Sequence, residues 1–328
     1  MSKLFIVSLK ALRKIYAKVF RVPTQQKPVC EQNAEVASGM IYDKLMSDEP
    51  CMIARFGSTE LSAMVNYLGV KNSNSDVWRY IQGRALPWWW NENIMNQMQQ
   101  WSGFFPPTRE KIERFCELMM EDMKQVDVLG SWLADERFFE PALKDAVKIR
   151  LLLLEPFWTA YSWMKALENK KVLVIHPFAE TIITQYERRE KLFKNQTILP
   201  EFLSLRTIKA VQSLGGQSNQ FEDWFEALSY MKRKTDEAEF DIALIGCGAY
   251  GFPLAAHIKR AGKKAIHIGG ALQLMFGIKG KRWEDENFGE KTFGKKGVYR
   301  LLMNEHWVYP QKSETPKTAG SVENACYW

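Results

Sequence analysis

Arg55, Gly57, Ser58 and Glu60 fall within six residues at the end of an apolar run, Cys51–Phe56, that reads as a buried strand. An arginine at the end of such a strand wants a carboxylate or phosphate partner. Ser58 or Thr59 reads as a helix cap, and Glu60 in the first turn favours the helix dipole. That structural role explains the hydroxyls and leaves Arg55 unexplained. A second loaded strand end is Val174-Ile175-His176-Pro177-Phe178-Ala179-Glu180. His176 there could serve as a general base or as a donor to phosphate, although a lone histidine is more often structural.

The third end lies in residues 240–283 and is the most informative stretch. The apolar run Ile242–Ile245 ends at Gly246-Cys247-Gly248-Ala249-Tyr250-Gly251. Leu254, Ala255, Ile258 and Ala261 follow at helical spacing, and Gly262 stops the helix. Ala265–Ile268 is a second short strand containing His267 and closed by Gly269 and Gly270. Lys279, Lys281 and Arg282 lie a loop further on. This is a βαβ-type unit with small residues where a phosphate would sit, and a helix starting at a glycine turn offers unpaired N–H groups to an anion. The spacing Gly246-x-Gly248-x-x-Gly251 matches the dinucleotide fingerprint, so an NAD(P)-dependent oxidoreductase is one reading. Such enzymes carry an acidic residue about twenty residues on to hold the ribose. Here His267, Gly269 and Gly270 stand in its place. A methyltransferase would carry its glycine turn early in the domain, whereas this one is late. Tight packing alone would also select small residues.

Strands alternating with helices position these ends. Helices are expected over 31–46, from Gly57 to about Leu68, over 108–124, 180–193 and 219–234. Further strands are expected at Val126–Leu129, Leu151–Leu154 and Val172–Ile175, and Pro87-Trp88-Trp89-Trp90 reads as a helix opening. The pattern predicts an α/β fold: a mostly parallel Rossmann-like sheet with helices on both faces, as a single domain over 31–328. The final Cys326-Tyr327-Trp328 is too aromatic for a free tail.

The chain has 328 residues, 46 % of them hydrophobic and 25 % charged, ordinary for a globular protein. Its formal net charge of +7 comes from one place. Lys3, Lys10, Arg13, Lys14, Lys18, Arg21 and Lys27 stand in residues 1–30 without a single acid. The rest is neutral, which argues against a nucleic-acid binder. Residues 1–22 read as a basic amphipathic helix, with Phe5, Leu9, Leu12, Tyr16 and Phe20 on one face and Pro23 ending it. Such a helix suits an anionic membrane surface or packing on the body. Charges interrupt any apolar core segment and no small-residue cleavage site follows, so it does not read as a signal peptide. Five scattered cysteines fit a reducing cytosol. The expected location is cytoplasmic, with the inner face of the membrane as the alternative if residues 1–22 bind lipid.

The chain resembles the GT-D fold glycosyltransferases over roughly residues 50–285. Arg55-Phe56-Gly57 and Glu60 match that family's Arg-Phe-Gly-Asp-Gly-Glu stretch. The turn Gly246–Gly251 with its helix matches a late glycine turn, and His267-Ile268-Gly269-Gly270 with Trp283 matches an Asp-Ile-Gly-His element and the aromatic after it. The resemblance implies sugar transfer from a nucleotide-sugar donor to a glycan or lipid-linked acceptor in surface polysaccharide synthesis. It also implies a divalent metal, Mn²⁺ or Mg²⁺, held by an Asp-x-Glu pair against the donor diphosphate. Ser58 replaces that Asp, His267 replaces the later Asp, and Gly270 replaces the His, so Glu60 alone is left to hold a metal. Donor binding is then expected from Arg55, Gly57, Ser58, Gly246, Gly248, Gly251, His267, Gly269 and Gly270, with Lys279, Lys281 and Arg282 neutralising the leaving diphosphate. Glu60 is the first choice of acceptor base, His176 the second and the Glu305-His306 pair the third. Trp88, Trp89 and Trp90 are a candidate acceptor platform or simply core. The loss of carboxylates also leaves room for a non-catalytic nucleotide-binding scaffold.

Overall fold

The computed structural model describes residues 1–20, 22, 26–72, 75–213, 220–316, 319–321 and 325–328. Arg21 and Pro23, expected to finish the first helix, and residue 219, expected to start a later one, lie outside this set. Seven strands form one sheet: β1 (Cys51–Ala54), β2 (Val128–Ser131), β3 (Val147–Arg150), β4 (Lys171–His176), β5 (Ser204–Lys209), β6 (Ile242–Ile245) and β7 (Lys264–His267). Their order is β3-β2-β1-β7-β6-β4-β5 and every pairing is parallel. The main helices are α1 (Lys3–Val19), α2 (Ala34–Met46), α3 (Ser58–Lys71), α4 (Val77–Ile81), α5 (Glu92–Ser102), α6 (Arg109–Asp122), α7 (Ala179–Tyr186), α8 (Trp224–Asp236) and α9 (Gly251–Arg260).

Side chains on a strand alternate between faces, and the core divides accordingly. Met52, Ala54, Leu173, Ile175, Ala243 and Ile245 pack under α3, α6, α8 and α9. Cys51, Ile53, Val172, Val174, Ile242 and Leu244 pack under α2, α7 and the C-terminal segment with Trp283, Trp307 and Trp328. Burial on both faces is why the central strands are uninterrupted apolar runs. The chain leaving β4 passes to the α7 face, while the chain leaving its neighbour β6 passes to the α9 face. Loops that part in this way open a crevice at the C-terminal edge of the sheet.

Some expectations fail locally. Leu151–Leu154 is a 3-10 turn, and the strand is the preceding Val147–Arg150. Edge strand β5 was not expected, because no residue of Ser204–Lys209 is fully buried and the segment lacks the continuous apolar run of the inner strands. Pro87–Trp90 opens no helix: α5 starts at Glu92, capped by the Asn91 side chain.

Candidate functional site

A cleft of about 310 Å³ lies where β1, β4, β6 and β7 end. Its wall holds Arg55, Gly57, Ser58, Glu60 and His176 from the first half of the chain. From the second half it holds Gly246, Gly248, His267, Gly269, Gly270 and Arg282. Gly251, Lys279 and Lys281 do not line it. The Lys279 ammonium lies 5.8 Å from the Tyr309 ring instead. Glu305 and His306 pair with each other at 3.5 Å, and His306 borders a separate shallow depression with Glu187, Arg188 and Lys191. Trp88, Trp89 and Trp90 are also elsewhere: Trp88 and Trp89 pack on Tyr80, and Trp90 stacks on Tyr67.

The corner between β1 and α3 carries the charge. The Arg55 guanidinium lies 5.4 Å from the Trp132 ring and makes no ion pair among the described residues. Burial lowers its pKa, only partly opposed by the field of Glu60. Trp132 is fixed by its indole N–H donating to the Phe56 carbonyl at 3.1 Å. Its backbone N–H donates to the buried Glu136 carboxylate at 2.9 Å, which also accepts from Leu133 N–H and the Ser131 hydroxyl. The cap of α3 is Gly57, with no side-chain hydrogen bond, so neither Ser58 nor Thr59 acts as the expected cap. The first-turn N–H groups of this 14-residue helix therefore face the cleft without a side-chain acceptor. Glu60 is 8 % exposed, and no described residue donates a hydrogen bond to its carboxylate. It folds back over Gly57, where an added Cβ would sit 1.8 Å from Oε2.

The other strand ends are packed more tightly. Gly246 is required by close approach: a Cβ there would lie 2.7 Å from the Gly269 carbonyl oxygen and 2.8 Å from the His176 ring. Gly251 abuts the His267 ring instead of the cleft. A 3-10 turn, Gly248–Tyr250, leads into α9, and its internal bonds already use the N–H groups of Tyr250 and Gly251. The N-terminus of α7 is also filled, because the buried Glu314 carboxylate accepts from Glu180 N–H at 2.7 Å and from Thr181. The open helix terminus at this cleft is thus α3, not the late glycine turn favoured by the sequence. Cys247 borders the cleft, but burial pushes its thiol up and keeps it protonated.

His176 and His267 are each 3 % exposed, and burial drives both pKa values down to about 3. Arg55 adds to the depression at His267. The His176 Nδ1 accepts from Phe178 N–H at 3.0 Å, so the neutral ring carries its proton on Nε2. That makes His176 a hydrogen-bond donor and removes it as the alternative base. Both rings stay neutral in the folded state while the unfolded chain protonates them near pH 6.5. Stability from these two groups is therefore full above pH 6.5 and falls as pH drops towards 3. Melting temperatures between pH 7 and pH 4.5 should show this slope, and His176→Gln should flatten part of it.

Long-range neighbours that no local motif announces complete the wall. Trp101 and Ser102 come from the end of α5, and Ser213 bonds to the Tyr250 hydroxyl at 2.8 Å. The C-terminal Tyr327 packs on Gly270 and accepts a hydrogen bond from Arg282 at 3.2 Å. Trp328 is 8 % exposed, in keeping with the expectation that the terminus is not free.

A family model describing a GT-D fold-like domain matches residues 32–275, a span that contains all seven strands. The chain belongs to this GT-D-like family. No curated protein and no solved structure matches it significantly. The GT-D-like span ends before Arg282 and the C-terminal wall, so those parts of the cleft lie beyond the family core. The divalent cation implied by the resemblance fits these residues poorly. Glu60 is the only Asp or Glu side chain lining the cleft among the described residues, and no cluster of three His, Cys, Asp or Glu able to hold a metal exists among them. A hard cation takes several oxygen ligands, and the charged groups at this wall are chiefly Arg55 and Arg282.

Proposed function

We propose that the protein is a glycosyltransferase that moves a sugar from a nucleotide-sugar donor to a hydroxyl of a glycan or lipid-linked acceptor, in the synthesis of surface polysaccharide. The observation that carries this reading is Arg55, a half-buried guanidinium on the cleft wall with no ion-pair partner in the described protein. A group in that state is matched by an anionic ligand, and a diphosphate has the geometry and charge to meet it. Family membership supports the same class.

In this mechanism Arg55 and the first-turn N–H groups of α3 hold the diphosphate. The His176 Nε2–H donates to a donor oxygen. Glu60 takes the proton from the acceptor hydroxyl as its oxygen attacks the anomeric carbon. The bond from that carbon to the diphosphate breaks, and its electron pair goes to the leaving phosphate oxygen. Fixed donors aimed at this developing charge lower the barrier without a metal. Direct displacement of this kind inverts the anomeric centre. An oxidoreductase would need an acid at the end of β7 for the ribose, and His267 occupies that position.

Thermal shift against UDP-, GDP- and dTDP-sugars, NADP and S-adenosylmethionine tests the ligand class. A ligand at a hundred times its dissociation constant adds about 2.7 kcal/mol to stability. One nucleotide sugar should raise the melting temperature, and both this shift and donor turnover should survive excess EDTA. Stabilisation by NADP alone would overturn the reading, and donor binding without turnover would favour the scaffold alternative.

A further inference from the structure

We propose that α1 lies on an anionic lipid surface, with one apolar stripe entering the bilayer and its lysines over the headgroups. The helix has three sides. Leu9 is buried and, with Ile6 and Tyr16, docks on Tyr80, Ile81 and Trp89 of the body. Arg13 adds to this contact, its guanidinium 4.7 Å from the Tyr80 ring. A second side carries Leu4, Leu12, Ile15 and Val19, which are 79, 48, 58 and 70 % exposed. The third carries Lys10, Lys14 and Lys18, which make no ion pair among the described residues. At 100° per residue the centres of the three sides are about 120° apart. The face expected from the sequence is thereby corrected: Leu9 and Tyr16 belong to the body contact, and the exposed stripe is centred on Ile15.

Charge complementarity selects the occupant. The whole net charge of +7 arises in residues 1–30, where no acid offsets it. Of the α1 lysines only Lys3 has an acidic partner in the described protein, Glu92 at 3.6 Å. An apolar stripe bordered by free lysines matches a surface that is apolar beneath and negative above, which is an anionic leaflet. The helix lies on such a surface rather than crossing it, since no described helix is long and apolar enough to span a bilayer. Docking on the body holds α1 in a fixed relation to the cleft. Helix α5 begins at Glu92, the partner of Lys3, and ends at Trp101 and Ser102 in the cleft wall. Its 11 residues span about 16 Å, so one helix joins the α1 contact to the cleft wall.

Co-sedimentation of the full chain with vesicles tests this inference. Vesicles containing phosphatidylglycerol should bind it at least tenfold better than phosphatidylcholine alone, and 0.5 M salt should weaken the binding. Leu12→Ser with Ile15→Ser should reduce binding at least tenfold, and so should Lys14→Glu with Lys18→Glu. Because these side chains point away from the body, circular dichroism and the thermal transition should be unchanged, and so should transfer to a water-soluble acceptor. Equal binding to both vesicles, no binding to either, or variants that bind like the parent would overturn the proposal. A dimer in sedimentation equilibrium that Ile15→Ser dissociates, without lipid binding, would assign the stripe to a second copy and overturn it too.

Discussion

Arg55→Met is expected to lower sugar transfer by about 10²- to 10³-fold, the range seen when one donor to a developing negative charge is removed. The same change should leave the melting temperature of the ligand-free protein unchanged or higher. Both effects have one cause. Arg55 is half-buried beside Trp132 and makes no ion pair within the described protein, so the folded state bears part of the cost of its charge. A neutral side chain of similar length relieves that cost and removes the diphosphate's partner. Arg55→Lys should also fail, because an ammonium offers neither the planar fork nor the stacking face that Trp132 supports. Steady-state kinetics with donor, beside thermal melts with and without it, would measure both. If Arg55→Met were fully active but several degrees less stable, Arg55 would be a structural residue and the account would fail.

Glu60→Gln is the second large effect, with transfer expected to fall by about 10²- to 10⁴-fold through loss of a positioned base. Shape is conserved, and no described residue donates to the carboxylate, so no internal hydrogen bond is lost. Donor affinity should hold or improve, because a negative charge leaves the neighbourhood of the diphosphate. The pattern is a fall in kcat with unchanged or lower KM for the donor. Gly57→Ala reaches the same group through space, since its Cβ would meet Glu60 Oε2 at 1.8 Å and swing the carboxylate aside. Retained kcat in Glu60→Gln would remove Glu60 from the chemistry.

The strand ends were legible because each is encoded within a few residues. An apolar run that stops at a charge or a glycine is a local signal, and Arg55, His176, Gly246 and His267 all reach one cleft. The parallel sheet was legible for the same reason, since strands buried on both faces read as continuous apolar runs. Nearness in sequence misled in the basic loop. Lys279, Lys281 and Arg282 are neighbours in the chain, but Lys279 turns to Val308 and Tyr309 while Arg282 turns to Tyr327. In the late glycine turn the packing reason applies to two of the three glycines, because Gly246 and Gly251 are small to let His176 and His267 pack beside them, while Gly246 and Gly248 still line the cleft. Trp132 and Trp101 had no local signal, and the aromatic terminus at Tyr327 signalled packing but not where, since only tertiary packing brings all three to the cleft. The plug of α7 by Glu314 was hidden likewise, its partners being more than 130 residues away in sequence.

A crystal structure with the bound nucleoside diphosphate of the stabilising donor tests the central claim most directly. The account predicts a phosphate oxygen within hydrogen-bond distance of the Arg55 guanidinium and of a first-turn N–H of α3, with Glu60 facing the vacated sugar position. A diphosphate held by Lys279 and Lys281 outside the cleft, with Arg55 untouched, would contradict it.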